Sequence, residues 1–326
     1  MRAWRVHELG EPTDVLRLEL VAAPLPGPGE VRIEVGAAAL NFPDILLCQG
    51  RYQVRPPLPF TPGIEVAGTV NAVGAGAEVP LGARVVAMPP LPGGGLAELV
   101  VAPAAEVLPV PDSLPDPAAA AFMVSYQTAH FALHRRAAIR PGETLLVHAG
   151  AGGVGSAAIQ LGVAAGARML ATAGAPEKVR ICRDLGAEMA VNYRTDDFVE
   201  AVREATAGRG ADVVVDPVGG DVLDQSRRCI AFEGRLVVIG FAAGRIAEVP
   251  TNHVLLRNYA VLGLHWGRYR EVAPELVRET HAELTRLHAE GRIDPLIFAE
   301  LPLEEAPGGL RAIAERRTWG KVVVVP

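Results

Sequence analysis

The chain is poor in cysteine, in lysine and in long apolar runs. Its three cysteines, Cys48, Cys182 and Cys229, are scattered with no C-x-x-C pair. That excludes a disulfide ladder and a four-cysteine metal knuckle, and it points to a reducing, cytoplasmic setting. No apolar run approaches the ~18 residues of a membrane helix. The opening MRAWRVHELGEP is charged and starts like a strand, unlike a secretory leader. No basic stripe is visible, and a net charge of −6 with a pI near 5.8 argues against a nucleic-acid partner. Of 31 basic residues, only Lys178 and Lys321 are lysines. Alongside the abundant Ala, Gly and Pro, this reads chiefly as a GC-rich coding bias. Internal repeats and low-complexity tracts are absent. What is present is apolar material: 50% hydrophobic residues against 21% charged, enough for about two cores in 326 residues.

The first 120 or so residues read as β-rich. Short alternating or β-branched runs at 15–21, 30–40, 63–74, 83–88 and 96–101 are punctuated by Gly and Pro. The segment RPPLPFTPG (55–63) excludes helix and central strand and predicts a rigid loop. From about residue 123 the rhythm becomes strand, helix, strand. Strands at 143–150, 167–174, 190–193, 211–220, 234–241 and 259–264 alternate with helical stretches, which predicts a doubly wound parallel sheet of the Rossmann kind. A long helix over 270–290, a helix over 306–317 and a closing apolar strand, GKVVVV (320–325), follow. That strand needs a sheet to join, and the N-terminal β domain is the expected host. The expected domains are 1–122 together with 266–326, and 123–265.

Gly150, Gly152 and Gly155 fit G-x-G-x-x-G after a predicted strand and at the start of a predicted helix. The first glycine allows the tight turn, the second lets a pyrophosphate approach, and the third lets the helix pack on the strand. The amides of Gly153, Val154 and Gly155 open that helix, where an anion is favoured. At the end of the second strand an NAD site usually carries an acid for the ribose 2′-hydroxyl. Here the residues are Thr172, Ala173 and Gly174, with Lys178 shortly after. A lysine in that place favours NADP, although a solvated helix-surface lysine is the plain alternative.

The whole layout resembles the medium-chain dehydrogenase/reductase superfamily. Its zinc enzymes carry Cys in a C-x-x-D setting and His in a G-H-E setting. The matching stretches here are Asn41-Phe42-Pro43-Asp44 and Gly63-Ile64-Glu65, so both ligands are replaced and no metal is expected. The stretches 40–68, 125–133, 148–155, VNYR (191–194) and DPVGG (216–220) are similar to the zinc-free quinone oxidoreductase, or zeta-crystallin-like, branch. That resemblance implies a GroES-like β domain beside the Rossmann domain, NADPH as cofactor, and a homodimer. It also implies that Lys178, Tyr193 and Arg316 serve the 2′-phosphate and that Asn41 and Thr128 lie at the nicotinamide end. Val218, Phe241 and Leu264 would follow strand ends along the cofactor.

Hydride transfer without a metal needs a shaped, dry site more than a nucleophile. Phe42, Leu58, Phe60 and Ile64 are expected to wall a cleft between the domains. Tyr52 is the candidate proton donor, its ordinary pKa suiting that role, and Asn41 the candidate for orienting substrate or nicotinamide ribose. His130 and His134, four apart on a helix, lack a third metal ligand and read as packing. The leading expectation is an NADPH-dependent quinone reductase acting on a quinone or conjugated carbonyl. An enoyl-CoA-type reductase using Tyr52, with arginines such as Arg51, Arg55 and Arg257 for the CoA, is the alternative. A non-catalytic NADPH-binding protein is a third.

Overall fold

A computed structural model describes all residues, Met1–Pro326. The chain divides into two compact units, Met1–Val124 with Pro295–Pro326, and Ser125–Asp294.

In the first unit β1 (Arg2–Val6) and β2 (Leu16–Leu20) form an antiparallel pair. They are followed by β3 (Glu30–Ala39), β4 (Val66–Val73), β5 (Arg84–Ala87), β6 (Leu99–Pro103) and β7 (Leu108–Pro109). The long strand β3 is the axis, antiparallel to both β4 and β6. Its alternation is the physical cause: Val31, Ile33 and Val35 point into the core while Glu34 faces out. Gly68 sits opposite Val35, and a Cβ there would stand 2.0 Å from the Glu34 carbonyl oxygen, so the close strand approach requires glycine. The proline-rich 55–63 segment forms neither helix nor ladder strand. It is held by two backbone bonds between Phe60 and Val6, at 2.8 and 3.1 Å, and Phe60 is wholly buried in the core.

A helix, Asp116–His130, carries the chain into the second unit. There β8 (Thr144–Val147), β9 (Arg168–Ala173), β10 (Met189–Asn192), β11 (Ala211–Asp216), β12 (Ile230–Val238) and β13 (Ala260–Gly263) form one sheet. The order is β10-β9-β8-β11-β12-β13 and every pairing is parallel. The chain winds outward from β8 on one side and from β11 on the other, the doubly wound topology. All four residues of β8 are buried, as a strand covered on both faces demands.

The chain returns to the first unit at Pro295, not at 266 as the sequence suggested. Residues 266–294 stay with the second unit because they answer its buried polar groups. The Gln127 amide donates to Val277 O at 2.9 Å, and Asp294 O accepts from the Tyr126 hydroxyl at 2.7 Å and from Gln160 at 2.9 Å. The expected helix over 270–290 is two, Gly267–Val272 and Pro274–Ala289, broken at Ala273 where proline starts the second. Then come β14 (Ile297–Pro302), which the sequence did not announce, a helix at Ala306–Ala314, and β15 (Lys321–Val325). Strand β15 lies antiparallel to β3, Val323 opposite Ala39, and parallel to β14. The closing strand therefore joins the N-terminal sheet.

All three cysteines are buried, and burial pushes each thiol up to about 12. His148, directly after β8, is fully buried between Thr172 Oγ1 at 2.9 Å and Ser226 Oγ at 2.7 Å. The Ser226 hydroxyl already donates to Val222 O, so it accepts from Nε2–H, and Thr172 donates to a neutral Nδ1. Burial lowers the His148 pKa to about 4. In the unfolded chain the ring takes a proton near 6.5, so its contribution is complete above that pH and is lost as pH falls toward 4. The loss should reach about 3 kcal/mol. Urea unfolding of wild type and His148→Gln between pH 7.5 and 4 should show this slope in the wild type alone; parallel curves would refute it.

Candidate functional site

In the second unit the glycine-rich turn connects β8 to the helix Gly153–Ala164. Ala149 takes a φ of 50° to make the bend. The Gly150 amide donates to Thr172 O at 2.9 Å, and a Cβ on Gly150 would meet Cys182 Sγ at 2.8 Å. A Cβ on Gly155 would stand 2.2 Å from Ala149 O, so this glycine lets the helix close on the turn. Gly152 differs. Its Cβ would find only Ala149 O, at 3.3 Å, and is otherwise open. Gly152 is also the helix N-cap and supplies no side chain to the first turn. The amides of Gly153, Val154 and Gly155 thus end the helix uncapped beside open space, which suits an anion.

The carboxyl ends of the parallel strands lie along the same edge as this turn. After β9, the Thr172 side chain points inward, its hydroxyl spent on His148. Gly174 lies under Tyr193, whose hydroxyl oxygen would be 2.6 Å from a Cβ there. Tyr193 is anchored by its amide on Ala173 O at 3.1 Å. Lys178 is half-buried in the helix Pro176–Asp184, and Glu177 beside it is exposed. After β11, Asp216 Oδ1 accepts from the amides of Val218 at 2.7 Å and Gly219 at 2.9 Å, which makes Asp216 a turn-forming acid. Gly219, at φ 69°, leaves room for the partly exposed Phe241 ring, 2.9 Å from where its Cβ would be. After β13 the Leu264 amide bonds to Val238 O at 2.9 Å, and its side chain is buried. Thr128 is buried in the helix Asp116–His130. Of the residues singled out in the sequence, Gly150, Gly152, Gly174, Tyr193, Val218 and Phe241 lie in the connections that follow these strands.

His130 and His134 stack with ring centroids 4.5 Å apart, and His130 Nε2 meets Glu283 at 3.1 Å. Burial lowers the pKa of both rings. Nowhere do three or more His, Cys, Asp or Glu side chains converge as metal ligands would.

In the first unit Asn41 ends β3 and N-caps the helix Phe42–Cys48. Its amide donates to Asp44 Oδ2 at 2.8 Å, while Asp44 Oδ1 accepts from the Gly63 amide at 3.0 Å. Asp44 is wholly buried, and that burial raises its pKa to about 7 against the opposing pull of the two amides. The Asn41 side chain is engaged at both ends. Nδ2 donates to Ala39 O at 3.0 Å and Glu65 Oε1 at 2.8 Å, and Oδ1 accepts from Lys321 Nζ at 2.6 Å. Lys321 Nζ also reaches Glu65 Oε1 at 2.7 Å, and the second Glu65 oxygen accepts from the Val124 amide at 2.7 Å. Glu65 is 0% exposed and Lys321 only 6%, so this is a buried ion pair. Of these three, only Asn41 was expected in the site from the sequence; Glu65 and Lys321 were not. The available signal was rarity, since Lys321 is one of two lysines among 31 basic residues.

Tyr52 is half-buried against the same core, and its pKa is raised by burial and then by the charge of Asp44. Of the four expected cleft walls, Phe60 is instead core, because its backbone pairs with Val6, and Leu58 is exposed. Phe42 and Ile64 are partly buried. Arg316 is exposed in the first unit, just past the helix Ala306–Ala314, at φ 57°.

Comparison with known proteins adds the family. Residues 27–112 match the alcohol dehydrogenase GroES-like domain, and residues 153–282 match the family described as zinc-binding dehydrogenase. Quinone oxidoreductase-like protein 2 of Bos taurus is 40% identical over 299 residues, covering 91% of this chain and 85% of its own. The quinone oxidoreductase of Thermus thermophilus, solved also in complex with NADPH, is 39% identical with a TM-score of 0.87 over the full length of both chains. The Escherichia coli quinone oxidoreductase complexed with NADPH is 30% identical, with a TM-score of 0.93 and full coverage of both. With the two matched domains, the doubly wound sheet and relatives alike over nearly their whole length, this chain belongs to the quinone oxidoreductase branch of the medium-chain dehydrogenase/reductase superfamily.

Proposed function

We propose that this protein is a cytoplasmic, zinc-independent NADPH:quinone oxidoreductase that reduces a quinone or a conjugated carbonyl. The observation that carries the cofactor half is Gly152, whose open side opposite Ala149 O leaves the uncapped amides of the next helix free for a diphosphate. Thermus thermophilus and Escherichia coli relatives crystallised with NADPH support the same choice. Lys178 and Tyr193 would hold the 2′-phosphate, as no acid ends β9 to prefer a free hydroxyl. Arg316 would add a second positive charge there. Val218, Phe241, Leu264 and Thr128 would line the cofactor further along. When bound, the dihydronicotinamide supplies a hydride. The chain's own part is to hold it, to orient it through Asn41, and to keep water away.

Zinc does not fit the residues present. Asn41 offers a neutral amide in place of a thiolate, Ile64 offers only hydrocarbon, and the Lys321 ammonium already stands against Glu65. Quinone oxygens, once reduced, take protons from solvent.

Tyr52 favours a second reading, alkene reduction of an enoyl thioester. Burial beside Asp44 keeps its phenol protonated, so it would retain a proton for a carbon centre. A homodimer is part of the leading reading: β13 is an edge strand with Ala260 and Val261 exposed, open to pairing with its twin.

Four measurements test these statements. Gly152→Ala should fold normally, its backbone being extended, yet weaken NADPH binding about tenfold, or ~1.4 kcal/mol; Gly155→Ala should lower the thermal midpoint instead. Unchanged NADPH titration of Gly152→Ala would remove the diphosphate assignment. Lys178→Ala should cut the kcat/KM preference for NADPH over NADH by about tenfold, and an unaltered ratio would move the 2′-phosphate elsewhere. Tyr52→Phe should slow crotonyl-CoA reduction by about 100-fold and 1,4-benzoquinone reduction by much less; equal small losses would end the proton-donor role. Light scattering should give about twice 34.3 kDa.

A further inference from the structure

We propose that Lys321 is the resident cation of the buried polar cluster just past β3: a tethered ammonium that neutralises Glu65, fixes the amide of Asn41, and both replaces and repels a divalent metal. The proposal rests on the zinc-independent reading above and assigns the residue responsible for it.

The geometry is complete without a metal. By the resemblance drawn from the sequence, positions 41 and 64 stand where zinc enzymes carry Cys and His, and Glu65 is the acid that follows. Between Asn41 and Glu65 lies one ammonium, 2.6 Å from the amide oxygen and 2.7 Å from the carboxylate. Asn41 Nδ2 donates to the same Glu65 oxygen, so Oε1 receives from both and the three side chains close a ring of hydrogen bonds. The second Glu65 oxygen is taken by the Val124 amide. A carboxylate with three of its acceptor sites taken, beside a positive charge, is a poor partner for a metal ion. The ring also sets which way the Asn41 amide faces. With the ammonium donating to Oδ1, Nδ2 must turn toward Ala39 O and Glu65. Lys321 is therefore a positioning residue, acting through Asn41.

Its chemistry explains why it is lysine. In a chain where 31 basic residues include only two lysines, arginine has been acceptable almost everywhere. At 6% exposure, with two acceptors converging on a single nitrogen, a planar guanidinium has neither the room nor the right shape. A point charge on a slender stem has both.

The test removes the tether and returns the charge. Lys321→Ala leaves Glu65 buried without its counter-charge and opens a cavity the size of the lost stem. Its melting temperature should fall, and ethylammonium chloride should raise it where sodium chloride of equal strength does not; the wild type should not respond. The kcat for 1,4-benzoquinone should drop about 100-fold with the KM for NADPH within a few-fold, because a displaced Asn41 misorients rather than releases. Ethylammonium should restore part of that kcat. Lys321→Arg should be as damaging as Lys321→Ala. If Lys321→Ala does not fold, Glu65→Gln with Lys321→Met supplies a neutral pair: it should fold and keep the kcat defect. An amine no better than sodium chloride, or a double variant with wild-type kcat, would overturn the role of Lys321. Elemental analysis of the wild type separates the two claims, since stoichiometric zinc would sink the zinc-independent reading whatever the amine does.

Discussion

A buried ammonium against a buried carboxylate is costly to build. Each ion forfeits several kcal/mol of hydration, and the pair is tolerable only when the geometry is good and the remaining hydrogen-bonding sites are filled. Here those conditions are met by residues from four separated parts of the chain: Asn41 from the end of β3, Glu65 from the approach to β4, Val124 from the helix Asp116–His130, and Lys321 from the last strand. The charge of Glu65 is not answered until β15 has paired with β3, because Lys321 is its first residue and its register is fixed by Val323 opposite Ala39. The polar ring therefore specifies how the chain's last strand closes the sheet of its first unit. Apolar packing of Val322 and Val324 would tolerate several registers, but a charge that must meet a charge tolerates one.

Around that closure the two units keep different physics. The first is a sheet with one buried face and Gly68 where strands crowd. The second is a parallel sheet covered on both sides, with the glycine-rich turn at its carboxyl edge. The glycines divide their labour there. Gly150 and Gly155 are required by the fold, since any Cβ collides, whereas Gly152 leaves an opening that the fold itself does not need.

Much of this was legible in the sequence, for identifiable reasons. Parallel strands buried on both faces are near-continuous apolar runs, so β8, β9, β11 and β12 stand out. The glycine spacing between β8 and the next helix has few other uses. The closing strand was legible because KVVVV cannot remain unpaired. The less visible parts lacked a local cause. The return at Pro295 depends on Gln127, Tyr126 and Gln160 finding carbonyls of residues 277 and 294, contacts separated by more than 130 residues. The edge strand β14 only half-buries every other residue and leaves the rest exposed, so it lacks the continuous apolar run of the parallel strands. Phe60 was read as a cleft wall because its proline-rich surroundings imply a surface, yet its backbone pairing with Val6 draws the ring into the core. Lys321 was visible as an oddity of composition, but its partners are 256 and 280 residues away and nothing in the local sequence names them.

The burial of the three thiols has a chemical consequence for a protein of this branch. Quinones and enones are soft electrophiles that arylate or alkylate thiolates and free amines. Cys48, Cys182 and Cys229 lie out of reach with thiols pushed up to about 12, so they are neither accessible nor ionised at neutral pH. One of the two lysines is enclosed as well. The folded chain therefore offers such electrophiles no accessible thiolate.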